Sequence, residues 1–227
     1  MIRHYGNISI EDLYLSLFYI IFAKMKKMSA TNLIREQIER KAPGEVFLLK
    51  DFSELGSENV VKKTLSRLCL FGKITRLGKG IYCITQTDSI FGFGMIYPSQ
   101  EQIAQAVARA EGVSIIPTME FAMNALNLST QIQTNTVFLT DGCRRHINLE
   151  GYKGNGITFI HCSNHRLFDI KDRRMLLIIL SMKGIGKKNL DGTRMDLIKS
   201  HLKHVSLQDY MHDIKLAPVW IQKKLIS

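Results

Sequence analysis

Apolar residues recur at helical spacing over Thr31–Lys41, where Leu33, Ile34 and Ile38 share a side. Pro43-Gly44 closes this first predicted helix, because proline cannot continue the hydrogen-bond ladder. Glu45–Leu49 is a short apolar run of strand length, and Lys50–Leu55 reads as a second short helix ending at Gly56. Ser57 then caps a longer helix running to about Phe71, since its hydroxyl can accept from unpaired first-turn amides, and Gly72 ends it. At about 100° per residue, Val61, Leu65, Leu68 and Cys69 fall on one side. Asn59, Lys62, Lys63, Ser66 and Arg67 fall on the other, a basic side expected to hold no carboxylate. Lys73–Thr85 (KITRLGKGIYCIT) reads as two short strands around Leu77-Gly78-Lys79-Gly80, whose glycines allow the positive backbone angles of a tight hairpin.

Three helices followed by a hairpin is the layout of a winged helix-turn-helix, expected over residues 29–90. Asp88–Tyr97 reads as a linker or a strand, with a domain boundary near residue 90. Beyond it, Ser99 and Gln102 form the two halves of a capping box for a helix running to Gly112. Val113–Ile116 reads as a buried strand, Thr118 to about Leu126 as a helix, and Thr136–Leu139, His146–Leu149 and Ile157–His161 as strands. The C-terminal part is helical, with helices opening at Asp172, Thr193, Ser206 and Ala217-Pro218. The fold class expected is α+β: the winged module, then a mixed α/β domain over residues 91–227 that ends in helices. No internal repeat or low-complexity tract interrupts it.

Composition narrows the function class. With 45% apolar and 22% charged residues in 227, the chain is globular, which excludes wholesale disorder and fibrous repeats. A net charge of +11 and a pI near 9.6 point to a polyanionic partner, nucleic acid first. The charge clusters: between Ser57 and Tyr82 stand six basic residues and one acidic residue, Glu58. Outward lysines and arginines also serve solubility, so a protein-interaction module of the same layout stays open beside DNA binding.

Cys69, Cys83, Cys143 and Cys162 lack zinc or disulfide spacing and read as reduced thiols of a cytoplasmic protein. The apolar run Leu13–Ala23 is too short to span a bilayer, and its charged flanks do not fit a signal peptide. Residues 1–28 form an extension with three open readings: a helix packed on the body or a dimer partner, a membrane-surface helix, or leader from a start assigned too early.

The sequence carries no persuasive catalytic constellation, metal site or cofactor motif. His161 and His165 are four apart, but the run follows a strand, so the spacing does not put both on one helix face. Gly184-Ile185-Gly186-Lys187-Lys188 follows a helix and lacks the Ser/Thr of a phosphate loop, so it reads as a helix stop and basic turn. Thr140-Asp141-Gly142 reads as a hairpin turn, beside which Arg144 and Arg145 could meet phosphate or an acidic partner. Tyr210 and Trp220 read as core anchors.

The blocks Leu65–Ile84, Pro98–Gly112, Pro117–Gln133, Val137–Gly142 and Leu216–Leu225, in that order, resemble the bacterial AbiEi-like antitoxins of type IV toxin-antitoxin (abortive infection) systems. The likeness is to a subgroup often described only as a domain of unknown function and covers about residues 29–225. It implies a non-enzymatic transcriptional autorepressor that binds inverted repeats in its own promoter, with two-fold symmetry on DNA. It further implies a C-terminal domain that counteracts a nucleotidyltransferase toxin without a stable complex. The family's recognition helix falls on Ser57–Phe71 and its wing on Arg76, Gly78 and Lys79. The DNA-contacting set is therefore Ser57, Asn59, Lys62, Lys63, Ser66, Arg67, Arg76 and Lys79. The alternative is a non-catalytic protein- or RNA-interaction module whose winged domain does not bind DNA specifically.

Overall fold

A computed structural model describes residues 11, 13–18, 29–88, 94–131, 135–152 and 156–226. Helices and strands are both present, giving the α+β class. Most of the 1–28 extension lies outside the described residues; residues 11 and 13–18 are helical, with Leu13, Tyr14, Leu15, Leu17 and Phe18 exposed. The boundary expected near residue 90 also lies outside them. Two compact units divide the chain: Met1–Glu45, Leu49–Thr75 and Cys83–Ile96 form the first, and Val46–Leu48, Arg76–Tyr82 and Tyr97–Ser227 the second.

In the first unit, helix α1 (Ala30–Glu39) starts where the Ser29 side chain accepts from the Asn32 amide, and it buries Ile34 and Ile38. The segment read as a second short helix is a seven-residue 3-10 helix, Leu49–Leu55, which buries Phe52. Helix α2 (Glu58–Leu70) packs against both. Gly56 eases the close approach at this junction, because a Cβ there would stand 3.0 Å from that of Ala30. Ser57 has the extended backbone of an N-cap, but its hydroxyl makes no capping bond, so the expected side-chain cap is not formed. Two α-helices and one 3-10 helix thus stand where three helices were expected.

Strands β1 (Val46–Leu48), β2 (Ile74–Gly78) and β3 (Ile81–Ile84) form a sheet of order β1-β3-β2. Two residues, Lys79 and Gly80, join β2 to β3, and only Gly80 takes a positive φ (74°). Gly78 is required for another reason: a Cβ there would meet the Asn148 carbonyl oxygen at 2.7 Å. Short strands β4 (Thr87–Asp88) and β5 (Gly94–Met95) pair antiparallel, where a linker or strand was expected.

The long segment of the second unit opens with α3 (Gln100–Glu111), whose capping box between Ser99 and Gln102 is formed in both directions. Strands β6 (Ile115–Pro117), β7 (Thr136–Thr140), β8 (Arg145–Ile147) and β9 (Ile157–His161) make a sheet of order β6-β7-β9-β8. β9 runs parallel to β7 and antiparallel to β8, so β7 and β8 do not pair with each other. Thr140-Asp141-Gly142 is therefore not a hairpin turn as expected. It is the start of a connection around β9, held by the Asp141 carboxylate accepting from the Ser114 amide and by the Thr140 hydroxyl accepting from that of Gly142.

Helix α4 (Met119–Ala125) packs on α5 (Arg173–Ile185), which is buried from Met175 through Met182. Gly184 lets the two approach, its Cβ position being 3.1 Å from the Met119 Cβ. Helices α6 (Gly192–Leu202), α7 (Leu207–Asp213) and α8 (Val219–Ile226) complete the C-terminal part, with Tyr210 and Trp220 partly buried against the core. Asp213, the one buried charged side chain among the described residues, accepts from the Lys171 and Asp172 amides at 3.0 and 2.9 Å and pairs with His212 at 2.7 Å. It pins α7 to the entry of α5, where Asp172 in turn caps the Met175 amide.

Candidate nucleic-acid interface

Helix α2 buries Val61, Thr64, Leu65 and Leu68, and that choice determines which residues it turns outward. Ser57, Glu58, Asn59, Lys62, Lys63, Ser66 and Arg67 are all exposed. Asn59, Lys62, Lys63, Ser66 and Arg67 lie within about 140° of arc at about 100° per residue, so the helix presents them together. The expectation of a carboxylate-free face needs correction, because Glu58 pairs with Lys62 one turn on at 2.5 Å. The hydrogen bond from Lys62, and then its charge, hold the Glu58 carboxyl below its ordinary value. No ion pair or side-chain hydrogen bond engages Lys63 or Arg67 among the described residues. Lys73 follows the helix, exposed as well.

Leu70 is an addition the polar reading passed over. It lies eleven residues after Asn59, which brings it back to the same side of α2, and it is exposed. The signal was available in the helical spacing, but Leu70 was assigned to neither side of the helix.

The hairpin carries the other predicted contacts within the second unit, and there the cations differ in availability. Leu77 and Gly78 are buried, and the Leu77 carbonyl accepts from the Glu150 amide at 2.7 Å. Arg76 donates to the Gly78 carbonyl at 3.3 Å and stands 3.5 Å from the Glu150 carboxylate. Lys79 is exposed and has no ion pair among the described residues. Of the second predicted pair, Arg144 is exposed, whereas Arg145 pairs with Glu111 and lies 5.3 Å from the Phe159 ring centre. The structure thus gathers the α2 set on one helix face of the first unit, whereas Arg76, Lys79, Arg144 and Arg145 belong to the second.

Other polar groups serve the fold. His161 donates through Nδ1 to the Gly142 carbonyl, and His165 lies in a 3-10 turn after the strand. Gly186 ends α5 with a positive φ, and Lys187–Asn189 forms a 3-10 turn, so this stretch is a helix stop. Among the described residues no group of three or more His, Cys, Asp or Glu is placed to hold a metal ion. All four cysteines are free thiols, and burial pushes that of Cys83 up to about 11. An open cavity of about 490 Å³ beside α4 is lined chiefly by apolar residues, among them Met119, Val137, Leu139 and Ile160.

One family profile matches residues 33–210, from α1 into α7. The chain belongs to DUF6088, a family of unknown function. The DUF6088 span takes in the whole of α2, the hairpin and the Arg144–Arg145 segment. No curated protein and no solved structure matches the chain significantly. Among the described residues no helix is long and apolar enough to cross a membrane.

Proposed function

We propose that this protein is a DNA-binding transcriptional autorepressor, with α2 as the recognition helix of an N-terminal winged helix-turn-helix. The observation that carries the reading is the exposed face of α2, where Lys63 and Arg67 have no partner among the described residues and Asn59 and Ser66 stand beside them. An α-helix fits the roughly 12 Å major groove of duplex DNA. There, lysine and arginine meet phosphates and guanine edges, while asparagine and serine meet base edges. Lys79, exposed on the hairpin, is a cation suited to the same kind of partner. Inverted repeats upstream of the gene are the expected target, with one subunit on each half-site.

The resemblance to AbiEi-like antitoxins extends the proposal: the C-terminal part opposes a nucleotidyltransferase toxin, non-enzymatically, in the cytoplasm, and without a stable complex. That extension rests on the ordered blocks from Pro98 to Leu225 and on the absence of a persuasive catalytic motif in the sequence.

The pairing of Arg76 with Glu150 favours a second reading at the hairpin, which there acts within the protein instead of on DNA. An interaction module of this kind needs no inverted repeat upstream.

The test is a fluorescence titration of the protein against its own upstream region, with scrambled competitor and two salt concentrations. Specific binding that weakens with salt is expected, because each neutralised phosphate contributes about 0.9 to the slope of log affinity against log salt. Replacing Lys62, Lys63 and Arg67 together with Ala should abolish it while circular dichroism stays unchanged. Undiminished binding by that variant, or binding blind to sequence, overturns the assignment.

A further inference from the structure

Leu70 stands where a solvated helix face has no use for it. Its side chain is 84% exposed, and Phe71 beside it is 72% exposed. On α2 it lies about 20° from Asn59 and about 40° from Ser66 around the axis, within the arc of the basic face and at its C-terminal end. A lone surface leucine is ordinary, but one at the C-terminal end of the arc that carries Lys62, Lys63 and Arg67 borders whatever that face binds.

Charge selects the occupant. A second copy would bring the same cations against Lys63 and Arg67, and two apolar side chains fall far short of the roughly 800 Å² per partner that a stable interface buries. A polyanion fits the cations, and a duplex also offers something to the leucine. Its major-groove edges are polar except for one group, the C5 methyl of thymine. Leu70 lies about 16 Å along the axis from Asn59, so a helix that follows the groove brings both to base edges about five steps apart.

We propose that Leu70 is a specificity-determining residue that recognises the 5-methyl group of a thymine in the major groove of the protein's DNA target. The inference rests on α2 being the DNA-reading helix. It assigns to an apolar residue the discrimination of thymine by its methyl group, which the polar contacts of Lys63 and Arg67 do not supply. Removing one such methyl should weaken binding about fourfold, the worth of one buried carbon. Leu70→Met, which keeps an apolar side chain of similar volume, should retain the discrimination.

The experiment uses the full chain and its upstream duplex made in two forms, one with thymine and one with deoxyuridine throughout, which removes the methyl and keeps the pairing. Wild-type protein is expected to bind the deoxyuridine duplex about fourfold more weakly for each methyl touched. Leu70→Ala should bind the thymine duplex more weakly than wild type and lose part of the preference. Lys63→Ala with Arg67→Ala should weaken both duplexes alike and keep the preference. Equal thymine preference in wild type and Leu70→Ala overturns the role of Leu70 and leaves the DNA reading standing. No binding of either duplex by wild type overturns both.

Discussion

Helices α2 and α5 each have thirteen residues, yet they answer to opposite demands. α2 buries four side chains on one face and turns Asn59, Lys62, Lys63, Ser66 and Arg67 outward. α5 is buried without interruption from Met175 to Met182 and exposes charge chiefly at its start, at Arg173 and Arg174. An amphipathic helix closes the core with one face and leaves the other exposed, so residues there can change without disturbing the core. A helix enclosed on every side can only hold the fold together. Stability and binding should therefore separate between the two helices.

The largest effect should come from α5. Ile179→Ala should cost about 2–5 kcal/mol, read as a lowered urea midpoint, because a cavity is left among fully buried neighbours. DNA affinity per folded molecule should not change. Asp213→Ala should cost about 3 kcal/mol, since the Lys171 and Asp172 amides at the mouth of α5 lose their acceptor. A variant with wild-type stability would show that water replaces the carboxylate there.

On α2 the order reverses. Lys63→Ala and Arg67→Ala should each change stability by less than about 0.5 kcal/mol. Together they should flatten the salt dependence of DNA binding by up to about 1.8, if each meets one phosphate. An equal loss of stability would remove the contrast between the helices.

The smallest effect belongs to Glu58→Gln, which releases Lys62 and should tighten duplex binding slightly. The Glu58 carboxyl is depressed in the folded chain, so its pairing favours folding above the unfolded carboxylate range. That contribution falls away as pH drops through the lowered value, whereas in Glu58→Gln this acid-side step should be missing from the stability profile.

Much of this was legible along the chain. The polar and apolar sides of α2 follow from spacing alone, because its buried residues recur every three or four positions. The same spacing located α5 and its Asp172 cap. The capping box at Ser99 and Gln102 was legible because both bonds are local. The Ser57 cap shows the limit of that argument: the residue type and backbone fit, but its hydroxyl makes no capping bond. Leu70 was missed because the polar face was drawn from polar residue types alone, and the angle of an apolar residue was not followed onto it.

Local pattern by itself determined the α+β class, the order of the main elements and the basic side of α2, since these depend on residues within a few positions of one another. Tertiary structure decided which cations are free. Arg76 meets Glu150, and Arg145 meets Glu111 and Phe159, through partners 74, 34 and 14 residues away that no spacing rule connects. It also decided that β9 lies between β7 and β8, so that Thr140-Asp141-Gly142 leads away from a hairpin. Pairing between distant segments depends on how the whole core closes, and turn chemistry at one point does not carry that information.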